Sequence, residues 1–417
     1  RAVSDAGGAD PMWPDRGGSD PKGGSDAGGG SGAERGSGVG GRFDAGALSE
    51  GGSPNGAGER AAERAGWIRG EGPEADVVVS SRVRLARNVA GFSFVPRLGR
   101  EDRSELLEHC RRRVVEGVLP GRTSWVGLHE ASGLDRQLLA ERHLISKQHA
   151  SGKLSTGQGG VKEPRGVAVS LPDERMSVMV NEEDHIRIQV MRAGLDVASA
   201  YEEADAIDDN IERTIDYAFS PRFGYLCACP TNVGTGARFS VMVHLPGLRM
   251  IGEIDRVKRA ADDMSLAVRG FYGEGSETVG DFYQISNQTT LGRSERVLLD
   301  QMEREIVPRV VEYERHARSV LMQRRRAGAE DEVQRALGLL RHARLLETDE
   351  AVGQLSRVRL GVLLGLIEGV DLPTVNGLLL RVHPAHLQQE VGRGLSQQER
   401  RSSRAELVRR ALGADGG

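Results

Sequence analysis

Apolar and polar residues alternate along several short stretches in the middle of the chain. The sequences GVAVSLP, MSVMVN and HIRIQVM occupy residues 166–172, 176–181 and 185–191, with turn-forming residues between them. A period of two is typical of β-strands, because successive side chains point to opposite faces of a sheet. The pattern predicts an antiparallel meander of three strands, and ARFSVMVHLP at 237–246 predicts a further strand.

Other stretches repeat their apolar residues at the spacing of a helix. The sequence SELLEHCRRRVVEGVL at 104–119 has this period, and residues 197–219 keep it over a longer segment. One face of the longer helix collects Val197, Tyr201, Ala204, Ile207, Ile211 and Ile215. From about Ser294 to Ala411 the chain is rich in Leu, Glu and Arg. The predicted fold class is α+β, with an antiparallel sheet flanked by helices and followed by a helical C-terminal domain.

Residues 1–65 have a different composition, because Gly, Ser and Asp dominate and little apolar surface is present to bury. Such a segment does not offset the conformational entropy that ordering would remove, so we expect a flexible tail. A glycine-rich phosphate loop is the alternative, but no strand precedes the glycines and no GK[ST] follows them.

The totals exclude several classes of protein. With 417 residues and a formal net charge of −4, the chain lacks the positive charge of proteins that bind nucleic acid through bulk electrostatics. No apolar run reaches the length of a membrane span, and the first residues lack the layout of a signal peptide. Cys110, Cys227 and Cys229 are too few for a disulfide framework, so we expect a reducing, cytoplasmic location.

Three acids crowd the bend between two of the predicted strands. They are Glu182, Glu183 and Asp184, and His185 and Arg187 follow at once. Like charges at this spacing repel, so they need cationic partners or partial protonation. Strand alternation puts Glu183, His185 and Arg187 on one side, which suits a polar cleft. A solvated turn is the alternative for an acidic triplet taken alone.

Arginines mark a second candidate group. In SSRVRLARN at 80–88, Arg82 and Arg84 alternate with Val83 and Leu85, so both arginines point the same way. Guanidinium groups match phosphate oxygens bidentately, and several of them at one site would bind an anion. A solvated strand face is the alternative.

Small residues mark two further stretches. In CACPTNVGTGARF, Cys229 precedes a turn-forming run that lets backbone amides approach a ligand, and Arg238 follows it. Cys227 and Cys229 lack a second pair of ligands, which excludes a tetrahedral metal site, and a plain buried thiol is the alternative for Cys229. The stretch VRGFYGEGSETVGDFYQISNQTTLGRSE holds Arg269 and Glu274 and predicts a loop that closes over a substrate, or an ordinary surface loop.

Taken in order, SSRVRLARN, NEEDHIRIQ, CPTNVGT, RG before GEGSE, and ISNQTTLG resemble the catalytic domain of the phosphagen (guanidino) kinases. The resemblance is in particular to the bacterial protein arginine kinases, the McsB family, and it continues in the tail at LSRVRLGVLLGLI and HPAHLQQ. It implies a catalytic domain at 76–300 and a helical regulatory or dimerisation domain at 301–417, after the tail at 1–65.

The resemblance implies a role for each matching position. Around the phosphates of ATP it places Ser81, Arg82, Arg84, Arg187, Arg238 and Arg269, and near the adenine it places His143. Glu183 and Glu274 would hold the substrate guanidinium, with Glu183 as the base and Cys229 beside them. ATP and Mg²⁺ are the implied cofactors, with no metal held by protein ligands.

The implied activity is transfer of the γ-phosphoryl group of ATP to arginine side chains of proteins. A cationic substrate and an anionic donor explain why acids and arginines occur together. The alternatives are a kinase for free arginine or another small guanidine, and a non-catalytic adaptor. The implied partners are protein substrates with exposed arginines, a Clp-type ATPase or protease, a stress-response repressor and a second copy in a homodimer, with no membrane and no direct nucleic acid.

The C-terminal part of the chain departs from the family's sequence at one position. The family carries an Arg-Asp-x-x-Arg-Ala motif that is linked to binding of phosphoarginine as a regulator, and this chain has RRSSRA at 400–405. Arg400 and Arg404 match, but Arg401 stands where the aspartate is expected. An arginine cannot accept hydrogen bonds from a guanidinium and repels it, so selectivity for phosphoarginine is in doubt. A basic helix surface is the alternative.

Overall fold

The structure is a computed structural model, and it describes residues 65–115, 117–153, 159–270 and 279–413. The strands of these residues are β1 (Val78–Arg87), β2 (Arg122–Gly127), β3 (Gly166–Leu171), β4 (Met176–Val180), β5 (Ile186–Ala193), β6 (Phe219–Ser220), β7 (Gly224–Tyr225), β8 (Ala237–His244), β9 (Leu266–Gly270) and β10 (Phe282–Asn287). An eight-stranded sheet has the order β2-β3-β4-β5-β1-β8-β10-β9, and β6 and β7 form a separate hairpin. Every pair is antiparallel.

Helices pack on this sheet and fill the C-terminal part of the chain. They are α1 (Arg100–Val115), α2 (Gly133–Glu141), α3 (Lys147–Ser151), α4 (Val197–Glu212), α5 (Pro246–Ile251), α6 (Ile254–Asp263), α7 (Glu295–Asp300), α8 (Val307–Arg324), α9 (Arg326–His342), α10 (Thr348–Leu363), α11 (Leu372–Arg381), α12 (Pro384–Val391) and α13 (Gln397–Ala411). A π-helical turn, Gln301–Ile306, joins α7 to α8, and short 3₁₀ turns lie at Gly66–Ile68, Val95–Arg97 and Pro230–Asn232. The predicted α+β class is confirmed. No helix in the described ranges has the length and apolar character needed to cross a membrane.

Most of the predicted elements are present. The meander is β3, β4 and β5, the strand at 237–246 is β8, and the long amphipathic helix is α4. The prediction of one loop around Arg269 and Glu274 was wrong at both ends, because β9 and β10 border the stretch and pair with each other. The tail at 1–65 lies outside the described residues apart from Ala65. The boundary at residue 300 stays a prediction.

One face of the sheet carries the main hydrophobic core. Val83 and Leu85 of β1, Ile188 of β5 and Phe239 of β8 point into it and are fully buried. The apolar face of α4 and residues of α1 complete this cluster. Since these strand residues are apolar on every second position, the intervening residues must emerge on the opposite face.

The opposite face is covered only at its two ends. At one end, Met179 packs in a small cluster with residues of α2 and β3. At the other end, Met191, Met242 and Phe282 pack against the C-terminal helices. Between the two apolar clusters the same face of the strands carries arginines and other polar residues.

Arg359 of α10 fixes the C-terminal helices to the sheet. Its fully buried guanidinium donates to the carbonyl oxygen of Ala75 at 2.8 Å and lies 2.7 Å from Nδ1 of His244, at the end of β8. The Nε2 atom of His244 is in turn 2.8 Å from Oγ of Ser356. A buried charge that meets several acceptors holds its surroundings in one arrangement, so the two parts of the chain meet through a specific contact.

Candidate active site

The strand register brings five of the predicted phosphate ligands onto one face. Arg84 pairs with Arg238 across β1 and β8, and Arg187 pairs with Ala86. Arg269 on β9 pairs with Gln284, which pairs in turn with Met242 two positions along from Ser240, the partner of Arg82. Directly opposed residues in a ladder share a face. Arg82, Arg84, Arg187, Arg238 and Arg269 therefore all project from this face of the sheet, and we call them the arginine cluster.

Two members of the arginine cluster, Arg82 and Arg84, are disfavoured as cations when no anion is bound. Burial, followed by repulsion from Arg187, Arg238 and Arg269, lowers the pKa of Arg82 to about 10. Burial and repulsion from Arg82, Arg187 and Arg238 hold the pKa of Arg84 well below its ordinary value. The Nε atom of Arg84 is buried and meets no hydrogen-bond partner among the described residues. Such a donor suits an anion with several oxygens, as a triphosphate has.

Neutral polar side chains form hydrogen bonds to the arginine cluster and to the residues beside it. Gln284 accepts a hydrogen bond from Arg82 at 2.9 Å. Gln189, opposite Arg84 on β5, donates to the carbonyl oxygen of His143 at 2.7 Å. His143 has a left-handed backbone with φ of 59°, and its ring meets the Trp67 ring edge-on at 5.2 Å. Burial and then Arg82 lower the pKa of His143 to about 3, so its ring is neutral at neutral pH.

The acidic turn contacts the arginine cluster through Arg187. Its guanidinium lies 2.9 Å from Glu182 and donates to Glu183 at 3.2 Å. Glu182 is buried and also accepts from Oγ of Ser146 at 2.6 Å and from the amide of Glu183 at 2.7 Å. Burial raises the pKa of Glu182, but Arg187, His149 and these hydrogen bonds outweigh burial and lower it. Glu182 is thus an ionised anchor for Arg187, whereas the side chain of Glu183 keeps 27% of its surface exposed.

Asp184 joins the acidic turn to the loop of Cys229. Its carboxylate has no exposed surface and accepts hydrogen bonds from Nδ2 of Asn88 at 2.8 Å and from the amide of Ala228 at 2.7 Å. A longer contact of 3.5 Å reaches Nδ2 of Asn232. Because Asp184 follows Glu183 and Ala228 precedes Cys229, these bonds bring the two candidate functional residues to neighbouring positions.

Cys229 lies partly exposed at the start of the 3₁₀ turn Pro230–Asn232. Its Sγ atom is 3.0 Å from Oγ1 of Thr231. Cys227, two residues earlier, points inward, and burial and then Asp184 raise the pKa of its thiol. Of the two cysteines in this loop, only Cys229 is accessible to a substrate.

Two family profiles and many curated proteins match this chain. The family profile for the "ATP:guanido phosphotransferase, C-terminal catalytic domain" matches residues 112–317, and that for the "Protein-arginine kinase McsB C-terminal domain" matches 326–416. The protein-arginine kinase of Halothermothrix orenii is 40% identical over 349 residues, which are 83% of this chain and 96% of that protein. The protein-arginine kinase of Symbiobacterium thermophilum is 43% identical over 351 residues, with coverage of 84% and 96%.

The chain belongs to the protein-arginine kinase family. The resemblance carried by its motifs is confirmed, and the protein is a phosphotransferase. Among solved structures, the substrate-free duplicated taurocyamine kinase from Schistosoma mansoni has a TM-score of 0.49 and 28% identity, covering 63% of this chain and 37% of that chain.

One residue that the resemblance placed at the phosphates, and one that strand alternation placed beside Glu183 and Arg187, lie elsewhere. Ser81 is fully buried on the face opposite Arg82, where its Oγ donates to the carbonyl oxygen of Gly194 at 2.8 Å and accepts from the amide of Asp196 at 3.0 Å. His185 is buried, and its ring bonds the amide of Val89 at 3.0 Å and lies 2.9 Å from the carbonyl oxygen of Ser93. The strand alternation stops at Ile186, because the residues before it form a turn.

Glu274 lies outside the described residues, so its predicted role in this protein-arginine kinase stays a prediction. Arg269 is near the end of β9, just before that stretch. In the tail, Arg404 is buried and donates to the carbonyl oxygens of Val382 at 2.6 Å and Leu346 at 2.7 Å. Its guanidinium is therefore engaged within the C-terminal helices.

The neighbours of Arg404 have contacts of their own. Arg400 donates to the carbonyl oxygen of Leu395 at 2.9 Å, and Arg401 pairs with Glu347 at 2.8 Å. The regulatory role of Arg400 and Arg404 stays a prediction. Arg401 stands where the family motif has an acid, and it brings the carboxylate of Glu347 into this region.

Proposed function

We propose that this phosphotransferase transfers the γ-phosphoryl group of ATP to arginine side chains of proteins, within the cleft between the arginine cluster and the acidic turn. The observation that carries the proposal is the pair of contacts of Arg187 with Glu182 and Glu183. These contacts support the proposal because they bring a carboxylate that would bind a guanidinium next to guanidinium groups that would bind phosphate. The family relationship supports both the donor and the acceptor.

The arginine cluster binds and orients the triphosphate in this proposal. Arg82 is held by Gln284 and Arg187 by Glu182, so neither guanidinium has to reorganise when the nucleotide arrives. Fixed cations close to the transferring group stabilise the charge that its equatorial oxygens develop. The buried Nε of Arg84 gains a partner at the same time.

Glu183 is the general base. A guanidinium is a poor nucleophile because it stays protonated, with a pKa above about 12. Glu183 accepts one proton while the freed nitrogen lone pair attacks the γ-phosphorus. The new N–P bond forms as the bond from phosphorus to the bridging oxygen breaks, and the electron pair leaves with ADP. Glu274 would grip the other edge of the guanidinium, and Cys229 would lie beside it.

Magnesium belongs to the proposal through the nucleotide. The described residues contain no group of three or more His, Cys, Asp and Glu side chains that could hold a metal ion. Magnesium is commonly carried by substrate phosphates and water with few protein ligands, and such an ion would neutralise part of the phosphate charge. The chain's own contribution to the donor site is the arginine cluster.

The wider setting of the activity rests on the resemblance alone. We propose a cytoplasmic kinase in the stress response, with a Clp-type ATPase or protease and a stress-response repressor among its partners. The helical tail would join two copies in a homodimer. Light scattering on the purified chain tests the dimer directly, and a single-copy mass at micromolar concentration would contradict it.

Substitution of Glu183 by Gln tests the mechanism. Loss of the base should reduce phosphoarginine formation about 1,000-fold while ATP binding persists. The readout is mass spectrometry of acid-labile phosphoarginine on an unfolded protein, with free arginine in a parallel reaction. Glu130→Gln, at a surface position, is the matched control. A Glu183→Gln enzyme with full activity contradicts the mechanism, and transfer to free arginine but not to protein contradicts the acceptor.

A further inference from the structure

We propose that an apolar surface beside the Cys229 loop binds aromatic or aliphatic residues of the polypeptide substrate that flank the target arginine. This hairpin patch consists of Phe219, Phe223, Tyr225 and Leu291, which line one pocket. The inference rests on the proposed function, because it concerns how a protein substrate would be held while its arginine reacts.

The exposed hydrophobic side chains of the hairpin patch lie close together. The described residues expose ten large hydrophobic side chains, and three of them line this pocket, including both of the phenylalanines. Phe219 keeps 58% of its surface exposed, Phe223 keeps 43% and Leu291 keeps 54%. Single exposed apolar residues are common on proteins, but a cluster of them around one shallow, open pocket is typical of a binding surface.

The hairpin patch rests on a rigid support. The ring of Tyr225 lies on the guanidinium of Arg87 at 3.6 Å, and Phe219 packs against Tyr225 at 5.4 Å. Arg87 is buried and pairs with Asp208 at 2.6 Å. Burial lowers the pKa of Arg87, but Asp208 outweighs it and the pKa is raised, so the support stays charged. A preformed apolar surface loses little entropy when a ligand binds.

The hairpin patch is continuous with the loop of the proposed acceptor site. The amide of Tyr225 donates to the carbonyl oxygen of Gly234 at 2.8 Å. The Oγ1 atom of Thr290, beside Leu291, lies 2.7 Å from the carbonyl oxygen of Val233, to which it donates, and 3.0 Å from that of Thr231. Cys229 is only five residues from Gly234, a path of at most about 18 Å. A substrate chain whose arginine lies beside Cys229 reaches the patch with residues two to five positions away.

The charges around the pocket favour a polypeptide of this kind over a basic partner. Arg222 and Arg293 line the pocket against one acid, Glu295, and the guanidinium of Arg222 lies 5.0 Å from the centre of the Phe223 ring. Two cations at the rim repel Lys-rich and Arg-rich segments and attract acidic ones.

Two peptides of equal length test the inference. In one, the residue three positions from a single arginine is Phe, and in the other it is Ser. For the wild-type enzyme we expect kcat/KM to be at least about tenfold higher for the Phe peptide. The Phe219→Ser/Phe223→Ser enzyme and the separate Leu291→Ser enzyme should lose this preference and keep their rate on the Ser peptide. Tyr313→Ser, at an exposed site on α8, is the matched control and should keep the preference.

The outcomes are distinguishable. Equal wild-type rates on the two peptides, or a preference that survives in both patch variants, overturns the inference and leaves the proposed function intact. Absence of phosphoarginine on every peptide overturns the proposed function and this inference with it. If the patch variants instead lose a dimer seen for the wild type in sedimentation velocity, and the peptide preference is unchanged, the patch is an interface between copies and the inference is wrong.

Discussion

The carboxylate of Asp184 accepts a hydrogen bond from the backbone amide of Ala228 at 2.7 Å. This bond joins the turn that carries Glu183 to the loop that carries Cys229. Asp184 is fully buried, and its carboxylate accepts hydrogen bonds from both sides of this junction. It is a positioning residue for the proposed acceptor site.

We expect Asp184→Asn to weaken catalysis without removing the nucleotide site. An amide has one carbonyl acceptor in place of two charged oxygens, so the Cys229 loop shifts relative to Glu183. A displacement near 1 Å costs about 100-fold in rate. Steady-state kinetics should show kcat for phosphoarginine formation falling by this order while KM for ATP changes little.

The matched control is Asp209→Asn, which removes an exposed acid from α4. It should leave kcat unchanged. If Asp184→Asn raises KM for ATP as strongly as it lowers kcat, Asp184 supports the whole cleft and not the acceptor side alone.

Arg84→Gln should make the folded protein more stable and less active. The substitution removes a charge that burial, Arg82, Arg187 and Arg238 all disfavour in the absence of an anion. A residue that is unfavourable for folding but needed for function typically lowers the free energy of unfolding by about 1 kcal/mol. We therefore expect the free energy of unfolding of Arg84→Gln to increase by this order. Urea unfolding measures the gain, and KM for ATP should rise in the same variant.

Arg84→Lys keeps the charge and serves as the comparison. It should give no gain in unfolding free energy and an intermediate KM for ATP, since an ammonium cannot form the bidentate contact. A fall in the stability of Arg84→Gln would show that Arg84 supports the fold before any anion binds.

His244 makes the contact between the sheet and the C-terminal helices sensitive to acid. Burial and then Arg359 and Arg318 hold its pKa well below the ordinary value of 6.5. In the unfolded chain the His244 ring therefore takes up a proton near pH 6.5. In the folded protein the His244 ring stays neutral at that pH. Stability is complete above that pH and falls as the pH decreases below it, by up to about 1.4 kcal/mol per pH unit for this one group.

Unfolding free energies at pH 7.0 and 5.5 measure this slope. In His244→Gln the unfolding free energy should change less with pH, because the unfolded chain has one fewer histidine to protonate. The unfolding free energy at pH 7.0 should also fall, because a buried contact is lost. His316→Gln, at an exposed position, should keep the wild-type slope. An unchanged slope in His244→Gln would mean that the folded protein binds this proton.

Local patterns predicted the fold well where side chains alternate cleanly. The meander and the face of α4 follow from period alone, and the arginines at 82 and 84 are correctly placed on one side of β1. The strands β9 and β10 were missed, because the glycines between them dominate the composition of that stretch. Strand alternation would also have placed Ser81 opposite Arg82, so that residue could have been excluded from the cleft on sequence alone.

Roles that depend on long-range contacts could not be read from the chain. Glu182, Glu183 and Asp184 are three adjacent acids, yet one anchors Arg187, one faces the cleft and one holds a loop more than 40 positions away. Nothing in their local sequence separates them. The burial of Arg404 against carbonyl oxygens is likewise set by the packing of the C-terminal helices.

If the proposed donor site is correct, the arginine cluster would favour binding of the nucleotide before the guanidinium. While the cleft holds no nucleotide, its field repels an incoming guanidinium, and a bound triphosphate reverses the sign of that field. Arginine-rich chains should therefore not occupy the enzyme when ATP is scarce. In the proposed reaction the five arginines would bind the phosphoryl donor and would repel the acceptor until the donor is in place.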